Sequence, residues 1–148
     1  MAPKEELLLF QKARRGLPRQ ELRTFLATLS SKVAGGREFT CLLTDDNELL
    51  RLNKQFLGKN YPTDVLSFPS GEESGSLGEL AISCERAAEQ ASQFGHTVAD
   101  EIKILMLHGV LHLSGLDHET DKGKMAGIER KWRKEFKLPL GLIERVNQ

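Results

Sequence analysis

Residues 108 to 118 read HGVLHLSGLDH, and three of the chain's four histidines fall in this stretch. His108 and His112 stand four apart, so on a helix their rings lie one above the other on a single face and can share one metal ion. Gly115 can take the left-handed backbone that reverses the chain, which swings His118 back toward that face. Three imidazoles with an open fourth position are the arrangement of a catalytic zinc, whereas a structural zinc is closed by four protein ligands. The expected cofactor is therefore one Zn2+ per chain held by His108, His112 and His118, although imidazole also suits nickel, cobalt or copper. The helix that carries the pair opens at Thr97, with Asp100 three residues on as in a capping box, and is apolar almost all round as far as Leu113. A helix of that kind belongs in the core.

Working outward from this helix, residues 84 to 94 are rich in Ala, Glu and Gln and stop at Gly95, which predicts another helix. VLSF, between Pro62 and Pro69, reads as a short strand, and LGELAIS at 77 to 83 alternates as a second, antiparallel to the first across a GEESGS link. Asp45 with Glu48 predicts a helix start, with Leu49, Leu52 and Phe56 as its buried stripe. Phe39, Cys41 and Leu43 alternate as a strand. Pro18 fits the first position of a helix in which Leu22, Phe25, Leu26, Leu29 and Val33 recur until Gly35 and Gly36 end it. ELLLF at 6 to 10 is a short candidate strand. Met125, Ile128, Trp132 and Phe136 give one more amphipathic helix.

The histidine spacing is that of the metzincin protease signature HExxHxxGxxH with one member missing. The Glu after the first His is the general base of those proteases, and here that place is Gly109, which cannot accept a proton. The nearest substitute is Glu101, two turns earlier on the same face. It could act as the base, support a ligand imidazole, or simply be a carboxylate favoured by the helix dipole. Asp117 could orient His118 or cap the turn. His96, in a loop, is more often structural than functional at such a position.

The chain's 148 residues suit one domain, 1 to 148. Its 39% hydrophobic and 28% charged residues place it among globular chains, not disordered ones. Lys and Arg number 21 against 21 Asp and Glu, which excludes a uniformly basic nucleic-acid binder but leaves local patches open. One such patch holds Lys122, Lys124, Arg130, Lys131, Arg133, Lys134 and Lys137; another holds Lys12, Arg14, Arg15, Arg19 and Arg23. Phosphate backbones reward such patches, and solvated helix faces produce them too. No apolar run approaches the ~20 residues of a membrane span, so neither a membrane nor a secretory destination is expected. Two cysteines, Cys41 and Cys84, match neither a disulfide framework nor a metal clip and suit a reducing compartment.

HGVLHLSGLDH resembles the H-G-x-L-H-L-x-G-Y/L-D-H signature of the YbeY family of bacterial endoribonucleases and ribosomal RNA maturation factors. PTDVLSFP at 62 to 69, LGELAIS at 77 to 83, FGHT at 94 to 97 and the acidic pair at 100 and 101 stand in that family's order, so the resemblance runs from about Phe39 to Trp132. It implies an α+β domain, a small mixed β-sheet covered by helices, with a zincin-like helix presenting the metal-binding histidines His108, His112 and His118. It further implies a cytoplasmic, zinc-dependent, single-strand-specific endoribonuclease acting in 3′-end maturation of small-subunit ribosomal RNA and in ribosome quality control. The implied partners are single-stranded and ribosomal RNA, the small ribosomal subunit and an Era-type assembly GTPase. Two departures from the family pattern stand out: Glu79 replaces an Asp, and Leu57 replaces a basic residue in LNKQFLGKNYPTDVLSFP, where Asn60 also replaces Asp.

The catalytic residues are unassigned beyond a metal-bound water, with Glu101 as the candidate base and Lys59 as a candidate for stabilising phosphate charge, and Lys59, Arg130, Lys131, Arg133 and Lys134 are the candidate RNA contacts. Two competing readings are a ribosome-assembly factor whose metal is only structural and a zincin-type metallopeptidase, which Gly109 speaks against.

Overall fold

The computed structural model describes residues 7–71, 75–117 and 119–146, so His118 lies outside the described residues. Its sheet has four strands: β1 (Leu8–Phe10), β2 (Glu38–Thr44), β3 (Val65–Pro69) and β4 (Ser76–Ser83), in the order β1-β2-β4-β3. β1 runs parallel to β2, and β2 parallel to β4. β3 is antiparallel to β4, pairing Val65 with Ile82 and Phe68 with Glu79, as the alternation in the two segments predicts.

The helices are α1 (Arg19–Thr28), α2 (Asp46–Leu57), α3 (Cys84–Phe94), α4 (Val98–Leu113), α5 (Lys124–Glu135) and α6 (Leu142–Val146). Their starts follow local capping chemistry. Asp45 accepts the Glu48 N–H, Ser83 that of Arg86, and Thr97 that of Asp100. Only half of the Asp45–Glu48 box forms, because the Glu48 carboxylate is taken by Arg51 at 2.7 and 2.8 Å. α4 is the central helix, with Ile102, Leu105, Met106 and Val110 fully buried. It lies so close to the sheet that a Cβ on Gly109 would sit 2.7 Å from Leu80 Cδ2, and one on Gly78 would sit 2.8 Å from Leu113 Cδ2.

Three local expectations change, and one short helix had no sequence signal. Pro18 caps α1 from outside instead of opening it, and the helix loosens after Thr28 into a π-helical turn, Leu29–Val33, which keeps Leu29 in the core. Phe56 is not on the buried stripe of α2. It is 59% exposed and meets Phe68 edge-on at 5.7 Å, while Asn53 takes the fully buried place. Helix α6, one turn long, is too short to show an apolar period.

Candidate metal centre and cleft

The end of α4 builds the site. Gly115, at φ +95°, lets the chain reverse: its N–H donates to His112 O at 2.9 Å and the Leu116 N–H donates to Leu111 O at 3.2 Å, the two bonds of a Schellman motif. That turn brings the Leu116 carbonyl back to His112 Nδ1, 3.0 Å away. A carbonyl only accepts, so His112 donates from Nδ1 and turns Nε2 toward His108. His108 Nδ1 in turn lies 2.7 Å from Glu129 Oε2 of α5. The two rings stand at 76° to each other with their Nε2 atoms 3.1 Å apart.

With a carboxylate behind one Nδ1 and a carbonyl behind the other, the two Nε2 atoms are turned to one place, where a single cation can bridge them. Two imidazoles on one tetrahedral zinc, at Zn–N ≈ 2.0–2.1 Å, would have nitrogens about 3.4 Å apart. The observed spacing fits, as does the pattern of a ligand ring held by a carboxylate or carbonyl behind it.

A cleft of about 490 Å³ opens beside His112, lined by Asn53, Leu57, Lys59, Tyr61, Asp117 and Glu119 among others. Its far wall begins where Gly58, at φ +68°, ends α2 and turns the chain. Buried Asn53 then holds the next loop by donating Nδ2–H to Tyr61 O at 2.8 Å. Lys59 and Tyr61 are thereby presented to the cleft, and Leu57 lines it with 47% of its surface exposed.

The other candidates are placed as follows. Glu101 is fully buried but does not line the cleft; Arg145 grips its carboxylate at 3.0 Å through both terminal nitrogens, and His96 Nε2 lies 2.6 Å away. Asp117 caps the turn, accepting the Glu119 N–H on Oδ1 at 3.0 Å. Arg130, Lys131 and Lys134 are exposed on α5 away from the cleft lining, and Lys131 lies over the Trp132 ring. Arg133 is committed to Glu144 by two bonds of 2.8 and 2.9 Å.

The sequence reading missed Glu129 as a site residue. Its signal was present: Glu129 follows Met125 by four residues and precedes Trp132 by three, which puts a carboxylate on the apolar stripe of α5.

The fold and site together define an α+β domain whose core helix carries a pair of facing histidines at the edge of an open cleft. A family profile described as Endoribonuclease YbeY matches residues 11–137. The chain is 52% identical over 145 residues to a protein named Endoribonuclease YbeY from Solibacter usitatus, covering 98% of this chain and 97% of that one. It is 44% identical over 143 residues to the protein of that name from Koribacter versatilis, covering 96% and 93%. Its fold is similar to a solution structure of a Thermotoga maritima protein, with TM-score 0.61 at 29% identity, covering 88% of this chain and 91% of that one. This chain belongs to the endoribonuclease YbeY family.

Proposed function

We propose that the protein is a zinc-dependent endoribonuclease that cuts single-stranded RNA in the cleft beside His112. The observation that carries this reading is the pair of imidazole Nε2 atoms 3.1 Å apart, with His112 at the wall of an open cleft. Family membership supplies the substrate class. The third ligand proposed is His118. Zinc bound there would supply a Lewis acid for a phosphate oxygen and lower the pKa of attacking water.

The chain's own residues do the rest. His112 is oriented by Leu116 O, and Lys59 offers a cation to the phosphate on the opposite wall. Asp117 and Glu119 are carboxylates lining the cleft, whereas that of Glu101 is bound by Arg145 and His96, so proton transfer falls to the cleft carboxylates, which can accept the proton of an attacking water or of the ribose 2′-hydroxyl. A peptidase reading is disfavoured, because Gly109 faces Leu80 of the sheet and a side chain there would enter the core.

In the cell we assign the protein to the 3′-end maturation of small-subunit ribosomal RNA and to ribosome quality control in the cytoplasm, with the small subunit and an Era-type GTPase as partners. This assignment rests on the family. Among the described residues, no helix is long and apolar enough to cross a membrane.

The test is to incubate purified protein with single-stranded RNA, double-stranded RNA and casein, with and without chelator, beside His112→Ala. Cleavage of single-stranded RNA alone, abolished by chelator and in the variant, is expected. Zinc-dependent casein hydrolysis would establish the peptidase reading. Tight zinc binding without RNA cleavage would leave an assembly factor.

A further inference from the structure

We propose that Glu129 is the positioning residue of the cation site, with one carboxylate oxygen fixing the tautomer of His108 and the other tying cation affinity to the docking of α6. The inference rests on the cation site of the proposed nuclease.

Glu129 is 1% exposed, and a buried carboxylate is tolerated only when its oxygens are hydrogen-bonded. Oε2 lies 2.7 Å from His108 Nδ1, and Oε1 accepts the Ile143 N–H of α6 at 3.0 Å. An ionised carboxylate only accepts, so the His108 proton sits on Nδ1 and the Nε2 lone pair is left facing His112. The chain is shaped around this group. A Cβ on Gly141 would run into Glu129 Oε1 and come within 2.8 Å of its Cδ, so the approach to α6 requires glycine because of the carboxylate and not because of backbone torsion.

An amide could not replace it. Glutamine brings one acceptor and one NH2 group against two N–H donors, so one donor would face another. If the NH2 faced His108, the ring would exchange its proton to Nε2 and withdraw the lone pair. If it faced Ile143, α6 would lose the bond at its start. α6 also walls, through Leu142, Ile143, Arg145 and Val146, a cavity of about 530 Å³ that His108 lines, so its docking and the imidazole's surroundings are physically continuous. Linkage is reciprocal: if α6 docking strengthens cation binding, the cation must hold α6 down.

The test measures zinc affinity by competition with a chromophoric chelator for the unmodified protein, Glu129→Gln and Gly141→Ala. Gly141→Ala leaves the carboxylate chemically intact but displaces it. Leu8→Ala, a core variant on the edge strand β1, serves as the stability control. Both test variants should bind zinc about 10- to 100-fold more weakly while the control does not. In the unmodified protein, nitrogen-15 spectra should place the His108 proton on Nδ1 without metal, and zinc should slow exchange of the Ile143 amide. Unmodified zinc affinity in both folded variants overturns the proposal. So does His108 as the Nε2–H tautomer, or Ile143 exchange indifferent to zinc, and these two measurements decide even if the variants do not fold. Failure of the unmodified protein to bind zinc overturns the cation site itself and the inference with it, whereas RNA inactivity with intact zinc linkage overturns only the nuclease reading.

Discussion

Leu57 ends α2 at the wall of the cleft, where the resemblance to the family implies a basic residue. The apolar stripe of α2 does not claim it, since 47% of its surface is exposed and it shares the cleft with Lys59 and His112. A guanidinium there could hold a phosphate bidentately, and one preorganised donor contributes ~100- to 1,000-fold in rate. Lys59 offsets part of that with a point charge. Leu57→Arg is expected to raise the rate on single-stranded RNA at least about tenfold, with zinc content and melting temperature almost unchanged; a lower melting temperature without gain in rate would rule this out. Gly109 sets a second expectation. Alanine is a better helix former by about 1 kcal/mol, but its Cβ would sit 2.7 Å from Leu80 Cδ2, so the buried Leu80 side chain would have to shift. Overpacking typically costs ~1–3 kcal/mol, so Gly109→Ala should be neutral to destabilising by about 2 kcal/mol in urea unfolding, and a gain in stability would contradict the close approach of α4 to the sheet.

Among the elements, α6 is the least self-sufficient: five residues cannot hold a helix in water. Side chains from elsewhere hold it, through Ile143 N–H to Glu129, Arg145 to Glu101, and Glu144 to Arg133. The Arg133 hydrogen bond keeps the Glu144 carboxyl below its ordinary value, helped by the Gly141 N–H, against the opposing effect of burial. Because the folded value is the lower one, this contribution is fully present above the ordinary value of 4.5 and is lost as pH falls through the folded value. Stability measured from pH 6 to about pH 3 should therefore fall less steeply in Glu144→Gln than in the unmodified protein; parallel profiles would mean that the pair adds nothing to folding. The elements with strong local signals were legible beforehand: the starts of α2 and α4 from their caps, the end of α3 from Gly95, and the antiparallel pairing of β3 with β4 from two strand-like runs across a short link. The end of α1 and the placement of Phe56 were not, because both depend on where a helix runs out of neighbours to pack against.

Across the whole molecule, charge is spread so that the cleft and the basic face of α5 are distinct surfaces. Glu129 faces inward from α5 to His108, while Arg130, Lys131 and Lys134 are exposed, and Arg133, tied to Glu144, is the weakest candidate for binding RNA. If an RNA strand leaves the cleft over this face, neutralising Arg130, Lys131 and Lys134 together should weaken binding and flatten the slope of log K against log salt by about 0.7 for each phosphate the protein no longer neutralises. An unchanged slope would return α5 to an ordinary solvated face. The amino-acid order alone determined what local spacing governs, the histidine pair on one face of a core helix and the glycine that reverses the chain after it, since caps, turns and i,i+4 neighbours involve only a few bonds of backbone; the α+β class was implied by the likeness of its motifs to a family. Tertiary structure decided what those histidines are held by. Glu129 reaches His108 from 21 residues away and Arg145 reaches Glu101 from 44, and the parallel order of β1, β2 and β4 joins strands separated by whole helices. Such pairings have no period to read, because they arise when packed surfaces leave a buried charge few partners within reach, and only the assembled core fixes which partners those are.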